Sequence, residues 1–208
     1  DLLPSDITGV NMFNQKTGEW VFHAGPVFAE IVLADEINRA SPKTQSALLE
    51  VMEEAQVTVD GVRRPAPQPF MVIATQNPVE QAGTYPLPEA QLDRFLMKTS
   101  IGYPSRSAMI DVLDGSASPD RSKNLRPIVS GQDIVAWATL ASANHTDRAV
   151  LDYVAALAEA TREDESSLLG VSTRGAIGMV RCARVWAAAQ GRNFVLPDDI
   201  KALAVPVW

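Results

Sequence analysis

The sequence predicts an α/β domain built on a parallel sheet, followed by a small all-α domain. Three observations predict it. Two apolar runs, Ile31–Ala34 and Phe70–Ala74, end abruptly in polar residues, Asp35-Glu36 and Thr75-Gln76-Asn77-Pro78. Aliphatic runs of this length suit strands buried in a parallel sheet. From Ser130 onward the pattern is helical throughout. The expected boundaries are residues 1–104 for the α/β part, 105–129 for a linker, and 130–208 for the helical part.

The elements follow in order. Asn11–Asn14 and Trp20–His23 flank Gln15-Lys16-Thr17-Gly18 and read as a hairpin. Gly25-Pro26 breaks the chain before the buried strand Ile31–Ala34. Ser41-Pro42 starts a helix, with serine as N-cap and proline at the first helical position. Ala47, Leu48, Val51, Met52 and Ala55 follow at helical spacing. Val57–Val62 alternates around Asp60-Gly61, a strong hairpin signal. Phe70–Ala74 is the second buried strand. Glu89–Phe95 reads as a short helix, and Met97–Ile101 as a third short strand closed by Tyr103-Pro104. Residues 114–124 are rich in Ser, Asp, Gly and Pro and read as a loop. Ser130-Gly131-Gln132-Asp133 resembles a capping box. Ala149–Arg162 and Thr173–Gln190 are long Ala-rich amphipathic helices, and Pro197 opens another.

Bulk properties exclude several classes. No apolar run approaches the roughly 20 residues of a membrane span. The net charge of −7 argues against broad binding to nucleic acid or anionic membranes. Cys182 is the only cysteine, so an internal disulfide is impossible and a reducing cytoplasm is the expected compartment.

An acid pair and three single residues carry chemistry. Burying a carboxylate costs about several kcal/mol unless it meets a cation or donors. Asp35 and Glu36, at the carboxyl end of a strand, therefore suggest a metal-phosphate site, since ligands bind at that end of open α/β sheets. The alternative is a solvated acid pair in a loop. Asn77 ends the other strand and would lie beside them if the strands pair. Its amide could serve a phosphate or a water, although Asn-Pro is equally a turn dipeptide. Arg94, in Gln91-Leu92-Asp93-Arg94-Phe95, offers a donor fork suited to phosphate. A surface pair with Asp93 explains it too. Arg174, in Ser172-Thr173-Arg174-Gly175, sits in a first helical turn where a cation opposes the helix dipole. That mild penalty points to another task.

The order of these signals resembles an AAA+ ATPase. Three stretches carry the resemblance: IVLADEINRASPKTQSALLE (Ile31–Glu50), IATQNP (Ile73–Pro78) and GTYPLPEAQLDRF (Gly83–Phe95). Together they closely resemble the MoxR family, specifically up to about residue 104 and more loosely beyond. The resemblance implies a partial P-loop NTPase-like parallel sheet, the AAA+ core, followed by a helical lid. It implies that Asp35 and Glu36 are the Walker B acids, with Asp35 near Mg2+ and Glu36 as the base that activates water. Asn77 matches sensor 1. Arg94 matches the arginine finger that acts on a neighbouring subunit's nucleotide. Arg174 matches the sensor 2 arginine of the lid. The two hairpins look like the helix-2 insert and pre-sensor-1 hairpin of this clade. Arg63 and Arg64, beside the second hairpin's turn, are candidates for partner contact.

One part of the pattern is missing. A P-loop needs G-x-x-x-x-G-K-[S/T] to cradle phosphates, and no glycine here is followed by lysine. The family carries that motif upstream of the position of Asp1, so the chain is expected to be part of a longer ATPase, with the lid also cut short. The function so implied is ATP hydrolysis with Mg2+ that drives remodelling of a partner protein or insertion of a metal or cofactor. The implied assembly is a hexameric ring working with a von Willebrand factor A domain protein. A non-catalytic docking module derived from such an ATPase is the alternative. A DNA-associated motor fits the acidic balance less well.

Overall fold

The computed structural model describes residues 2–77, 83–115 and 125–208. The α/β part contains α1 (Pro4–Thr8), β1 (Gly9–Asn14), β2 (Glu19–Ala24), β3 (Ile31–Ala34), α2 (Pro42–Glu54), β4 (Gln56–Val59), β5 (Val62–Pro65), β6 (Met71–Ala74) and α3 (Glu89–Leu92). Then come α4 (Arg106–Leu113), α5 (Gly131–Ser142), α6 (Arg148–Glu163), α7 (Thr173–Ala189) and α8 (Pro197–Val207). An α/β core followed by helices alone is the predicted class.

Strands β3 and β6 pair in parallel, Ile31 against Met71 through Ala34 against Ala74. Parallel strands need a long crossover, which α2 and the β4–β5 hairpin supply. Helix α2 starts where Ser41 Oγ accepts the Thr44 amide, with Pro42 in its first turn. It stops at Ala55, whose left-handed backbone (φ 51°) turns the chain into β4. Asp60 and Gly61 both have positive φ and close the β4–β5 hairpin. Leu48, Leu49 and Val51 of α2 pack with Val27, Val32, Ile37, Val57 and Leu87 into the first core.

The structure corrects three expectations about the α/β part. Neither β3 nor β6 is buried on both sides. Val32 faces the core, but Ile31 and Leu33 are 60% and 66% exposed, and Met71 and Ile73 are exposed beside them. Alternation across the strand leaves one face without a covering layer among the described residues. Met97–Ile101 is not a strand. Its Lys98 amide donates to the Pro206 carbonyl of α8; a strand needs a ladder, and none runs beside it among the described residues. The helix expected over Glu89–Phe95 is regular only through Leu92 and ends in turns.

Residues 106–113, within the expected linker, form α4, capped by Ser105 Oγ on the Ala108 amide. Most of the Ser/Asp/Gly/Pro-rich loop (116–124) and Pro78 of IATQNP lie outside the described residues. Ser130 and Asp133 make the reciprocal capping box at the start of α5. The second core joins Val150 and Val154 of α6, Met179, Ala183 and Ala187 of α7, and Val195, Ile200 and Leu203. Among the described residues, no helix is long and apolar enough to cross a membrane.

The two hairpins touch. Asn11 Nδ2 donates to Asp60 Oδ2 at 2.6 Å, and the Arg64 guanidinium lies 3.7 Å over the Phe22 ring. Arg64 is thus a strut between hairpins, whereas Arg63 is exposed.

Candidate functional site

The parallel register brings the carboxyl ends of β3 and β6 together. With Ala34 opposite Ala74, Asp35 emerges beside Thr75. The Thr75 hydroxyl donates to Asp35 Oδ1 at 2.5 Å and accepts the Glu36 amide at 2.8 Å. The Thr75 amide donates to the Ala34 carbonyl, and the Thr75 carbonyl accepts the Ile37 amide, both at 3.0 Å. Four bonds from one residue thus fix the turn that carries both acids.

That turn is strained. Glu36 has φ 48° and ψ 51°, the left-handed region. A non-glycine residue there costs on the order of 1–3 kcal/mol and persists only when its surroundings over-determine it. The Thr75 bonds on either side supply that determination. The Glu36 carboxylate pairs with Arg39 at 3.0 Å, one helical turn on. Asn38 is buried; its Nδ2 donates to the Asn77 carbonyl at 3.2 Å, and its Oδ1 has no partner among the described residues. Asn77 is therefore beside the acid turn, through its backbone. Gln45, only 2% exposed, holds the floor of the turn, with Nε2 donating to the carbonyls of Ile37, Ala40 and Tyr85.

Arg94 and Arg174 form a second group. Arg94 Nη2 lies 2.9 Å from Glu53 Oε2, and Nη1 donates to the Leu49 carbonyl at 3.0 Å. Arg174 Nη2 lies 2.6 Å from Glu53 Oε1, and Nη1 is 3.5 Å from Asp93 Oδ2. The remaining Asp93 oxygen accepts the hydroxyl of Ser172, the N-cap of α7, at 2.6 Å. Asp93 therefore pairs across the core–lid junction rather than with its neighbour Arg94. These carboxylates also account for a cation in the first turn of α7.

The two groups lie toward opposite ends of α2. Gln45 sits under the acid turn and Glu53 in the last turn. Eight residues at 1.5 Å each put them about 12 Å apart along the axis. Asp35, Glu36 and Asn77 are thus gathered at one place, and Arg94 and Arg174 at another. Sequence reasoning missed Thr75, Gln45, Asp93 and Glu53. Thr75 had a usable signal, a hydroxyl at the first position past an apolar strand. Glu53 had none, being one of several acids on an ordinary helix.

The chain is similar to known proteins. The family described as "ATPase family associated with various cellular activities (AAA)" matches residues 1–97, and the AAA lid domain matches residues 159–208. "Uncharacterized protein YeaC" of Bacillus subtilis is 48% identical over 98% of this chain and 64% of its own length. "Chaperone MoxR1" of Mycobacterium tuberculosis is 41% identical over 96% of this chain and 55% of its own length. The chain therefore spans less than two thirds of either relative. The crystal structure of a putative ATPase from Cytophaga hutchinsonii superposes with a TM-score of 0.88 at 42% identity, covering all of this chain and 66% of that one.

Proposed function

The chain belongs to the MoxR family of AAA+ ATPases, and on that premise we propose that the protein carrying it hydrolyses ATP with Mg2+ to remodel a partner protein or insert a metal or cofactor into it. One observation carries the reading. Asp35 and Glu36 leave the sheet at its carboxyl end on a strained turn braced by Thr75, where open α/β sheets bind ligands.

Asp35 suits a Mg2+ ion of the sparsely held kind. Such an ion keeps several waters and takes one or two carboxylates plus substrate phosphates. Among the described residues no three His, Cys, Asp or Glu side chains gather as a metal cage, so Asp35 would hold an ion that arrives with the nucleotide. When bound, the ion neutralises charge on the phosphates. Glu36 takes the proton of the attacking water. Its pairing with Arg39 means that the carboxylate turns away from that partner to act. Asn77 offers its amide to the terminal phosphate or the water. Arg94 and Arg174, at the far end of α2, serve a nucleotide bound by the adjacent subunit of a ring, expected to be hexameric. The exposed Phe13–Trp20 pair at the end of the first hairpin, with centroids 5.5 Å apart, offers a surface to a partner protein such as a von Willebrand factor A domain.

That aromatic pair also supports a second reading, a docking module without catalysis. Replacing Glu36 with Gln in the full-length protein separates the two. The ATPase reading expects turnover to vanish while nucleotide binding persists. Hydrolysis within about twofold of the parent removes Glu36 as the base, and a parent that turns over no ATP leaves the docking reading.

A further inference from the structure

We propose that Glu53 is the positioning residue for both Arg94 and Arg174, holding two guanidinium groups from two domains as one unit that faces the phosphates of an adjacent subunit's nucleotide. The proposal rests on the reading above, in which Arg94 acts across a subunit boundary.

The geometry is specific. Each Glu53 oxygen takes one arginine, Oε2 from Arg94 and Oε1 from Arg174. A carboxylate accepts at both oxygens, so it can clamp two donors at once. Without it, two like charges would have no common acceptor. Leu49 lies one helical turn before Glu53 and so shares its face of α2. Its carbonyl gives Arg94 a second anchor. Arg174 is fixed from the other side. Asp93 accepts the Ser172 hydroxyl and lies near Arg174 Nη1, while Ser172 Oγ accepts the Gly175 amide. The cap of α7 is thereby joined to the core, and Glu53 aims the head group that the cap carries.

Stability does not explain the cluster. Its side chains are about a third to a half exposed, and pairs so exposed contribute little to folding. Arg174 also opposes the dipole of its own helix. Each guanidinium has five N–H donors in a rigid fork. Among the described residues, the bonds above use only part of each fork, so donors remain for phosphate oxygens. What the clamp provides is orientation, and misplacement by about 1 Å can cost roughly 100-fold in rate.

The test is complementation between subunits of the full-length protein. ATP hydrolysis is measured against ATP concentration for the parent, Glu53→Ala, Glu53→Gln and Arg94→Ala. Each variant is then mixed with Glu36→Gln, which keeps its arginines but lacks the base. Both Glu53 variants are expected to lose about 10–100-fold in kcat, with KM little changed. Mixed with Glu36→Gln, they should regain turnover above either partner alone, as Arg94→Ala should. A purely structural defect would disable a subunit in both directions and give no such recovery. If circular dichroism shows Glu53→Ala to be unfolded, Glu53→Gln decides. Parental or raised turnover in the Glu53 variants overturns the proposal, the raised case showing that Glu53 restrains the arginines. Recovery with Arg94→Ala but not with the Glu53 variants also overturns it, while sparing the reading of Arg94. No recovery with Arg94→Ala removes that reading and the proposal with it.

Discussion

Thr75 holds Asp35 by a 2.5 Å hydrogen bond from its hydroxyl, and the same oxygen accepts the Glu36 amide at 2.8 Å. One side chain therefore sets the rotamer of one acid and the backbone of the next. Thr75→Val keeps the β-branched shape and removes both bonds. Thr75 is exposed, so the loss of stability is expected to be small, about 0.5–1.5 kcal/mol. The effect on turnover in the full-length protein is expected to be larger, about 10–100-fold in kcat. Urea titration and steady-state ATPase assays read the two separately, and a variant with parental kcat would show that the brace is dispensable.

Gln45 is, with Thr44, one of two polar residues that α2 buries beside Leu48, Leu49 and Val51. Its amide serves three carbonyls, those of Ile37, Ala40 and Tyr85. Gln45→Leu fits the space but removes this donor; the Ile37 carbonyl keeps the Ala40 amide, while the Ala40 and Tyr85 carbonyls lose this partner. The expected loss is about 2–3 kcal/mol, the desolvation of unsatisfied buried groups. Denaturant melts of parent and variant measure it. A change below about 0.5 kcal/mol, typical of surface substitutions, would mean that other donors replace the amide.

The parts of the fold that depend on local chemistry were legible in the sequence. Ser41-Pro42, Asp60-Gly61 and the Ser130–Asp133 box each act within a few residues, and each appears where expected. The parallel pairing that places Asp35 beside the end of β6 also followed from two matched apolar runs. Which face of a strand is covered did not, because Ile31 and Leu33 read like core residues until their neighbours are known. Met97–Ile101 failed for a related reason: strand-forming composition does not create a partner strand. The Arg174–Glu53 bond spans 121 residues of sequence. It depends on how the lid meets the core, and no local pattern encodes that.

The 208-residue chain by itself has no glycine followed by lysine, and the backbone amides and lysine of that motif are the principal cradle for nucleotide phosphates. Calorimetric titration of this chain with Mg-ATP is expected to show no saturable binding in the micromolar range. Asp35 offers a site for the ion, but an ion held by one carboxylate needs the phosphates as its other ligands. Tight binding to the isolated chain would mean that the acid turn and arginines recognise nucleotide unaided.

Asp199 gives the lid a defined acid sensitivity. Its carboxylate is 3% exposed and takes both Arg192 Nη groups, at 2.9 and 2.5 Å, together with the Leu196 amide at 2.8 Å. The Arg192 hydrogen bonds, above all, hold its pKa below the ordinary carboxylate value even though burial pushes the other way. A carboxyl depressed in the folded state stabilises it fully above the unfolded pKa of about 3.9, and that contribution fades as pH falls toward the folded value. Asp199→Asn is expected to cost about 2–3 kcal/mol at neutral pH, below the range for a fully buried pair, because Arg192 keeps 24% of its side-chain surface. The variant should also lose this part of the acid dependence, so the gap between its Tm and the parent's should narrow from about pH 5 to pH 3. Thermal melts followed by circular dichroism across that range give the comparison, and a gap that stays constant would show that Asp199 is not the titrating group.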